Sequence, residues 1–509
     1  MSTSQRVVKN TAFLYIRTVV SLFVSVFTTR ILLQGLGTSD YGLYNVVGGA
    51  IAMLGFLSSS MSSTTQRFLS FAEGAGEEEK IKKYFNNAIL IHNGLALLML
   101  AIFAIAALFF FNGVLNVPEG KFATAIVIYI CMLISTVFSI TIAPYDAEIN
   151  AHENMLFYSL TGILDVLFKF AIAIAVLYFP CDKLIFYAIL MAVESFVLRL
   201  ICQIYCRIHY KECRHVNLRA NYDKQIIREM TSFAGWNLVN VATGMLSLYG
   251  MNIVVNHYFG TTVNAAMGVA TQLSGVMMGL SMNMIKAISP VLVKSEGGNR
   301  HQRMLDISYE SCKFSYLLFA FFGIPVLIFI SKVLSVWLTE VPKWTESFCV
   351  LLIIATLLEQ LTVVLYQSIL AGGNIKNYNI ARAVTNILPL FLSIGMFELT
   401  DLEPYWVFVN WMIFKSLGGS IVNVVYAKRT IGLKPMQFMD KILAPSVLSS
   451  GIVVILGLCI WYICACCQIN ELVGLALTIL AVIPVFWVIA LNRKERSVFK
   501  NMISGLIHK

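Results

Sequence analysis

Long, almost unbroken apolar runs recur along this chain, and they constrain its fold more than any other feature. They lie near 10–33, 42–68, 85–112, 122–148, 156–179, 183–207, 230–257, 263–293, 306–331, 346–370, 379–397, 405–427, 442–467 and 472–491. A bilayer core takes about 20 apolar helical residues to cross. Backbone polar groups in lipid must be paired internally, which leaves only helices and closed barrels. Barrel strands alternate in polarity over about 10 residues, so runs this long and continuous are helices. Composition agrees: 58% of the residues are hydrophobic and 13% charged, where soluble domains average about 45–50% and about 25%. The expected fold class is an all-α polytopic membrane protein with about 14 transmembrane helices. The first run follows a basic end, is too long for a signal-peptide core and has no cleavage site after it, so it reads as a retained span.

The basic residues give the orientation. Loops on the side of the termini carry twenty-four Lys and Arg, and the opposite loops carry four: Lys121, Lys183, Lys332 and Lys343. Positive loops stay inside, so both termini are expected in the cytoplasm. The net charge of +10 is then a topology and anionic-lipid signal, and nucleic acid is not needed to explain it. The eleven cysteines lie mostly within apolar runs, lack metal spacing with histidine, and read as small core residues.

The chain repeats itself. Shifted by 223 residues, Gly37-Thr38 falls on Gly260-Thr261, Val46 on Val269, Ser58 on Ser281, Met61 on Met284, Leu69 on Leu292 and Glu73-Gly74 on Glu296-Gly297. Shifted by 220, Ala151, Asn154 and Tyr158 fall on Ala371, Asn374 and Tyr378. Two echoes at nearly one offset argue for duplication. The expected division is an N-terminal six-helix lobe over 1–215, a second over 216–430, and two additional helices with a basic tail over 431–509. Both lobes start on one side, so they are parallel repeats, a transporter design with its site near the midplane between them. The Gly-rich stretch at 35–50 is then the turn between the first two spans, with Ser39 or Asp40 available to cap the second.

At this point the residues resemble a known family. The stretch "VVKNTAFLYIRTVVSLFVSVFTTRILLQGLGTSDYGLYNVVGGAIAMLGFLSSSMSSTTQRFLSF" is similar to the start of polysaccharide-exporting flippases. These are the Wzx-type branch of the multidrug/oligosaccharidyl-lipid/polysaccharide exporter superfamily. "MTSFAGWNLVNVA" and "NAAMGVATQLSGVM" resemble the start of their second lobe, and "ISPVLVKS" the end of their eighth span. Ser289 before Pro290 departs from the Asn-Pro often seen there. The resemblance implies a flippase for undecaprenyl-diphosphate-linked oligosaccharide in the bacterial inner membrane, working by alternating access. It would serve surface polysaccharide such as capsule or lipopolysaccharide O-antigen. Its partners would be that substrate, membrane lipids and polysaccharide assembly proteins, with no cofactor.

Charge at membrane depth costs about 2.5–3.5 kcal/mol on insertion scales and marks candidate sites. Arg67, Arg199, Lys313 and Arg382 lie near one membrane face and Arg30 near the other, within reach of snorkelling. Arg17, Lys286 and Lys415 lie deeper and are the expected phosphate-binding cations. Lys169 is a weaker candidate, because Asp165 four residues earlier shares its helix face. Asn45, Gln66, Asn237, Asn240 and Asn283 add amides suited to sugar hydroxyls. Glu194, Glu359 and Asp165 are the acids available to couple an ion or proton. The "SSSMSSTTQR" run at 58–67 lines a polar cavity or packs closely against another helix.

Two other classes compete. A drug or cation antiporter of the same fold would favour deep acids and aromatics over cations. A membrane polymerase or glycosyltransferase would carry a large loop or an Asp-x-Asp site, and neither occurs. There is no phosphate-binding Gly-x-x-x-x-Gly-Lys-Ser/Thr loop, so the chain is expected to use no ATP and to be a transporter, not an enzyme.

Overall fold

A computed structural model describes residues 3–52, 55–111, 120–493 and 495–497, with side chains at 3–5, 38–39, 45–46 and 49–52 left aside. The described residues form helices and connecting turns. In chain order these are α1 (Thr3–Ala52), α2 (Gly55–Ala75), α3 (Glu78–Phe109), α4 (Phe122–Ala151), α5 (Met155–Tyr178), α6 (Lys183–His209) and the single turn α7 (Lys211–Arg214). The 74-residue α8 (Lys224–Gly297) follows, then α9 (His301–Ile328), α10 (Ile330–Trp337), α11 (Thr345–Gln360), α12 (Val363–Gly372) and α13 (Lys376–Leu399). Helical stretches over Trp406–Ile431, Pro435–Cys467 and Glu471–Ala490 complete the chain.

By length and hydropathy, 12 of the described helices can cross a membrane. The expected fourteen is not reached on that measure, and the difference lies at two places. The expected second span, 42–68, includes residues 53 and 54, which lie outside the described residues, so it is not counted on that measure. The expected seventh and eighth run on as one helix, α8. At about 1.5 Å per residue α8 would extend about 110 Å, several times a bilayer core of about 30 Å. It does not run straight: Gly260 leaves helical geometry at φ 78°, ψ −178°. Gly37 does the same within α1 at φ 79°, ψ 167°. The stretch at 35–50 is therefore a one-residue hinge rather than a loop. Asp40 there is taken by Lys121, whose Nζ lies 2.9 Å from its carboxylate; Ser39 lies outside the described side chains.

Both glycines occupy a region that is essentially closed to residues with a Cβ. A Cβ built at either would meet nothing within 4 Å, so the obstacle is the backbone alone. Gly37→Ala and Gly260→Ala are each expected to cost about 1–3 kcal/mol, read as lower thermal midpoints of the detergent-purified protein. Midpoints equal to the parent's would show that another turn serves as well.

The other left-handed residues continue the pattern. Gly76 and Asn299 lie 223 residues apart, Gly120 and Trp344 224 apart, and Glu153 and Gly373 220 apart, all with positive φ. The two remaining cases among the described residues, Gly432 and Gln468, fall beyond residue 430.

The chain forms two compact units, Lys9–Leu238 and the part from Val239 onwards. The first is centred on Leu32, Val47, Met99, Phe103, Ile128, Tyr129 and Val176. The second gathers Met251, Val255, Met267, Phe348, Val407 and Phe408. The helix starts follow local chemistry: Asn154 accepts from the Phe157 N–H at the head of α5, and Asp182 from the Leu184 and Ile185 N–H groups at the head of α6. Each satisfies amides that have no partner within the helix. Large apolar side chains also point away from the protein; Val26 and Ile253 are each 70% exposed. Their solvent is the lipid.

Candidate functional site

In the first unit, α1, α5 and α6 hold the charges that lie deep in the membrane. Arg17 stacks on the Tyr158 ring, 4.7 Å from its centroid, and presses against Gly162, where a Cβ would overlap the guanidinium. The glycine one turn beyond Tyr158 thus makes room for the arginine. On α5, Lys169 pairs with Asp165 at 2.7 Å, the i, i+4 geometry that the spacing allows. Glu194 on α6 is 5% exposed and lies near enough to Asp165 and Lys169 to interact electrostatically with both. The trio is two carboxyls and one ammonium, with one net negative charge if all are ionised.

The α2 polar run packs against a neighbour. Ser60 donates to the Ala234 carbonyl at 2.9 Å, and Asn237 donates to the Ser63 hydroxyl at 2.9 Å. Asn237 of α8 is accordingly buried, at 1% exposure, while Gln66 of α2 is half-buried. The Asn45 side chain lies outside the described residues.

In the second unit a polar belt crosses α8, α11, α12, α13 and the Trp406–Ile431 helix. That last helix widens into a π-helical turn over Trp411–Leu417, a distortion frequent at functional sites. It brings the Lys415 ammonium 3.4 Å from the Trp411 ring centroid, a cation–π contact. The Glu359 carboxylate of α11 and the Arg382 guanidinium of α13 both act on Lys415 electrostatically. Ser416 donates to Glu359 at 2.7 Å, and Arg382 lies against Gly419, where a Cβ would overlap it. Asn386 donates to Asn240 at 3.1 Å and to Thr243 at 3.3 Å. Lys286 and Asn283, one turn apart on α8, are both half-buried.

The membrane helix at 345–372 is broken between α11 and α12. Side chains of the Trp406–Ile431 helix reach the freed backbone: Ser420 donates to the Leu358 carbonyl at 3.0 Å, and Asn423 to the Thr362 carbonyl at 3.3 Å. Broken helices in lipid persist where such groups repair them.

The structure thus gathers Lys415 with Glu359, and Lys169 with Asp165 and Glu194. Sequence reasoning placed Arg382 at the membrane face, whereas it belongs to the Lys415 group. It also set Lys313 among the snorkelling residues. Lys313 is instead 4% exposed and paired at 2.6 Å with Glu495, beyond the last membrane helix. No spacing rule connects residues 182 positions apart.

A further cluster escaped the sequence reading because it draws on three helices. At the corner after α4, His152 contacts Glu148 (3.1 Å), Glu212 of α7 (2.7 Å) and Glu73 of α2 (3.2 Å). The "AHEN" stretch, noticed only as a repeat marker, contains its histidine.

The fold is that of the MATE-type transporters. Over 83% of this chain and 96% of the other, it superposes on the outward-facing conformation of a multidrug resistance MATE family transporter of the MOP superfamily (TM-score 0.66, 13% identity). A MOP superfamily transporter from Pyrococcus furiosus, described as having a binding pocket of reverse polarity that suggests a different function, gives a TM-score of 0.68 at 14% identity. That match covers 83% of this chain and 96% of the other. Residues 7–296 match the polysaccharide biosynthesis protein family, and the chain belongs to it. A relative, the uncharacterized membrane protein EpsK of Bacillus subtilis (strain 168), is 21% identical over 441 residues, 86% of this chain and 85% of its own length. The protein is a multi-pass membrane protein.

Proposed function

We propose that the protein flips lipid-linked oligosaccharide of the undecaprenyl-diphosphate type across the bacterial inner membrane by alternating access, for surface polysaccharide assembly. Both termini would lie in the cytoplasm, and the chain would comprise two six-helix lobes and two flanking helices. The paired left-handed corners support the duplication.

The observation that carries the substrate reading is the charge at membrane depth in the second unit. Lys286, Arg382 and Lys415 are three cations in the membrane helices of this unit, and the carboxylate acting on Lys415 is Glu359. That excess suits an anion better than a cationic drug. Arg and Lys hold phosphate oxygens through charge-assisted hydrogen bonds, and the surrounding amides of Asn240, Asn283 and Asn386 suit sugar hydroxyls. In the first unit, the Asp165–Lys169–Glu194 trio would take up a proton or cation as the coupling step. Arg17, set on Tyr158, is the cation there without a described acid partner at hand.

Replacing Arg17, Lys286 and Lys415 by Gln, singly and together, in cells that depend on this exporter tests the reading. Surface polysaccharide is expected to fall at least tenfold in the triple variant, with membrane abundance within twofold of the parent. Export undiminished in the triple variant would overturn the diphosphate role. Faster efflux of a cationic dye than of a labelled diphosphate lipid from reconstituted vesicles would favour the antiporter.

A further inference from the structure

The His152 cluster has the build of a metal centre. Two carboxylates, Glu148 Oε1 and Glu212 Oε1, converge on a single ring nitrogen, His152 Nε2, at 3.1 and 2.7 Å. One N–H cannot serve both well, but donors around a cation at about 2.0–2.2 Å stand about that far apart. The other ring nitrogen, Nδ1, faces Glu73 at 3.2 Å. A metal-bound histidine commonly gives its second N–H to a carboxylate in this way, which fixes the tautomer and the ring. Tyr210 stacks on the imidazole with centroids 4.1 Å apart and planes 6° apart, which holds the ring in place.

Two further observations point to a cation. One oxygen-bearing or nitrogen ligand atom from each of Glu148, His152 and Glu212 lies within 4.8 Å of the others. Glu148 is 1% exposed, and its Oε2 has no hydrogen-bond partner, although a buried carboxylate oxygen is costly to leave bare. Three carboxylates around one imidazole also leave an excess of negative charge even when the ring is protonated.

We propose that Glu148, His152 and Glu212 bind a divalent first-row transition ion such as Zn²⁺, with Glu73 orienting the histidine. One imidazole and two carboxylates is a donor set for such ions rather than for Mg²⁺ or Ca²⁺, which favour oxygen alone. The bound ion ties the end of α2, the end of α4 and α7 together within the first unit. Among the described residues, the second half of the chain has no counterpart. Glu296, the repeat partner of Glu73, holds His301 at 2.7 Å, and that ring's Nε2 lies 2.8 Å from the Ile431 carbonyl.

The test uses full-length protein carrying a histidine-free tag, stripped with EDTA and titrated with ZnCl₂ by calorimetry, and with CoCl₂ by visible absorption. One equivalent of Zn²⁺ is expected to bind. Glu148→Gln and Glu212→Gln should each weaken it at least tenfold, and Glu73→Gln about 10–100-fold. Glu212 lies on the short α7 and spares the buried core, so Glu212→Gln keeps the test valid if Glu148→Gln misfolds. No stoichiometric Zn²⁺ binding by the parent protein would overturn the proposal. Equal binding by Glu212→Gln would place any bound ion elsewhere, on the exposed cysteines for example, and would also overturn it. Export is not the readout, so failure here leaves the flippase reading standing.

Discussion

Glu495→Ala is expected to destabilise the protein by about 3–5 kcal/mol, the loss seen when one partner of a buried ion pair is removed. Lys313 has no water to retreat to: the side chains of the pair are 5% and 6% exposed. Glu495 does two jobs. Its carboxylate also accepts from the Asn492 N–H at 2.7 Å, while Asn492 Oδ1 accepts from the Glu495 N–H at 2.9 Å, the reciprocal arrangement of a capping box. The truncation therefore uncaps the last helical turn and strands a cation in the core of α9. Thermal and urea unfolding in detergent would measure it. A Lys313→Met, Glu495→Leu double variant is expected to recover most of the loss, since an apolar pair of similar volume removes both charges at once. If Glu495→Ala unfolds within about 0.5 kcal/mol of the parent, the pair does not stabilise the protein.

The second large effect is expected at the Asp165–Lys169–Glu194 trio. Lys169→Gln leaves two carboxyls facing each other with no cation. A bare charge at membrane depth costs about 2.5–3.5 kcal/mol on insertion scales, so abundance in the membrane should fall several-fold. Adding Asp165→Asn removes one of the two carboxylates and should restore it. Glu194→Gln, which keeps shape and polarity, should leave abundance near normal and reduce export, as expected of a group that binds the coupling ion. Lys169→Gln accumulating as well as the parent would show that water reaches the trio and that its pairing is incidental.

The class of fold was legible because lipid leaves the backbone few choices, and apolar run length reads that choice directly. The i, i+4 pair at Asp165 and Lys169 was legible for the same kind of reason: helix geometry fixes which neighbours meet. What could not be read was any contact set by tertiary packing. Lys313 sits where a snorkelling lysine would sit, and only the return of the chain at Glu495 shows otherwise. Arg382 is drawn to Lys415 and Gly419 by the way α13 packs on the Trp406–Ile431 helix. Glu73, Glu148, His152 and Glu212 belong to a corner whose parts are as far as 139 residues apart in sequence. The count of spans differs on that measure at Gly260, where one residue turns the chain inside α8 and the two expected spans run on as one helix.

On the proposed duplication, the left-handed corners mark where the two halves have diverged. At three of the four paired corners the two copies now carry different residues: Gly76 against Asn299, Gly120 against Trp344, and Glu153 against Gly373. Each corner survived the change, because the helices on either side dictate the turn and an L-residue can be held there at modest strain. Gly37 and Gly260 are the same residue in both halves, and there the backbone lies where a side chain is shut out altogether. Mutational drift has been free to rewrite the corners that packing enforces, and it has stopped at the one that geometry forbids.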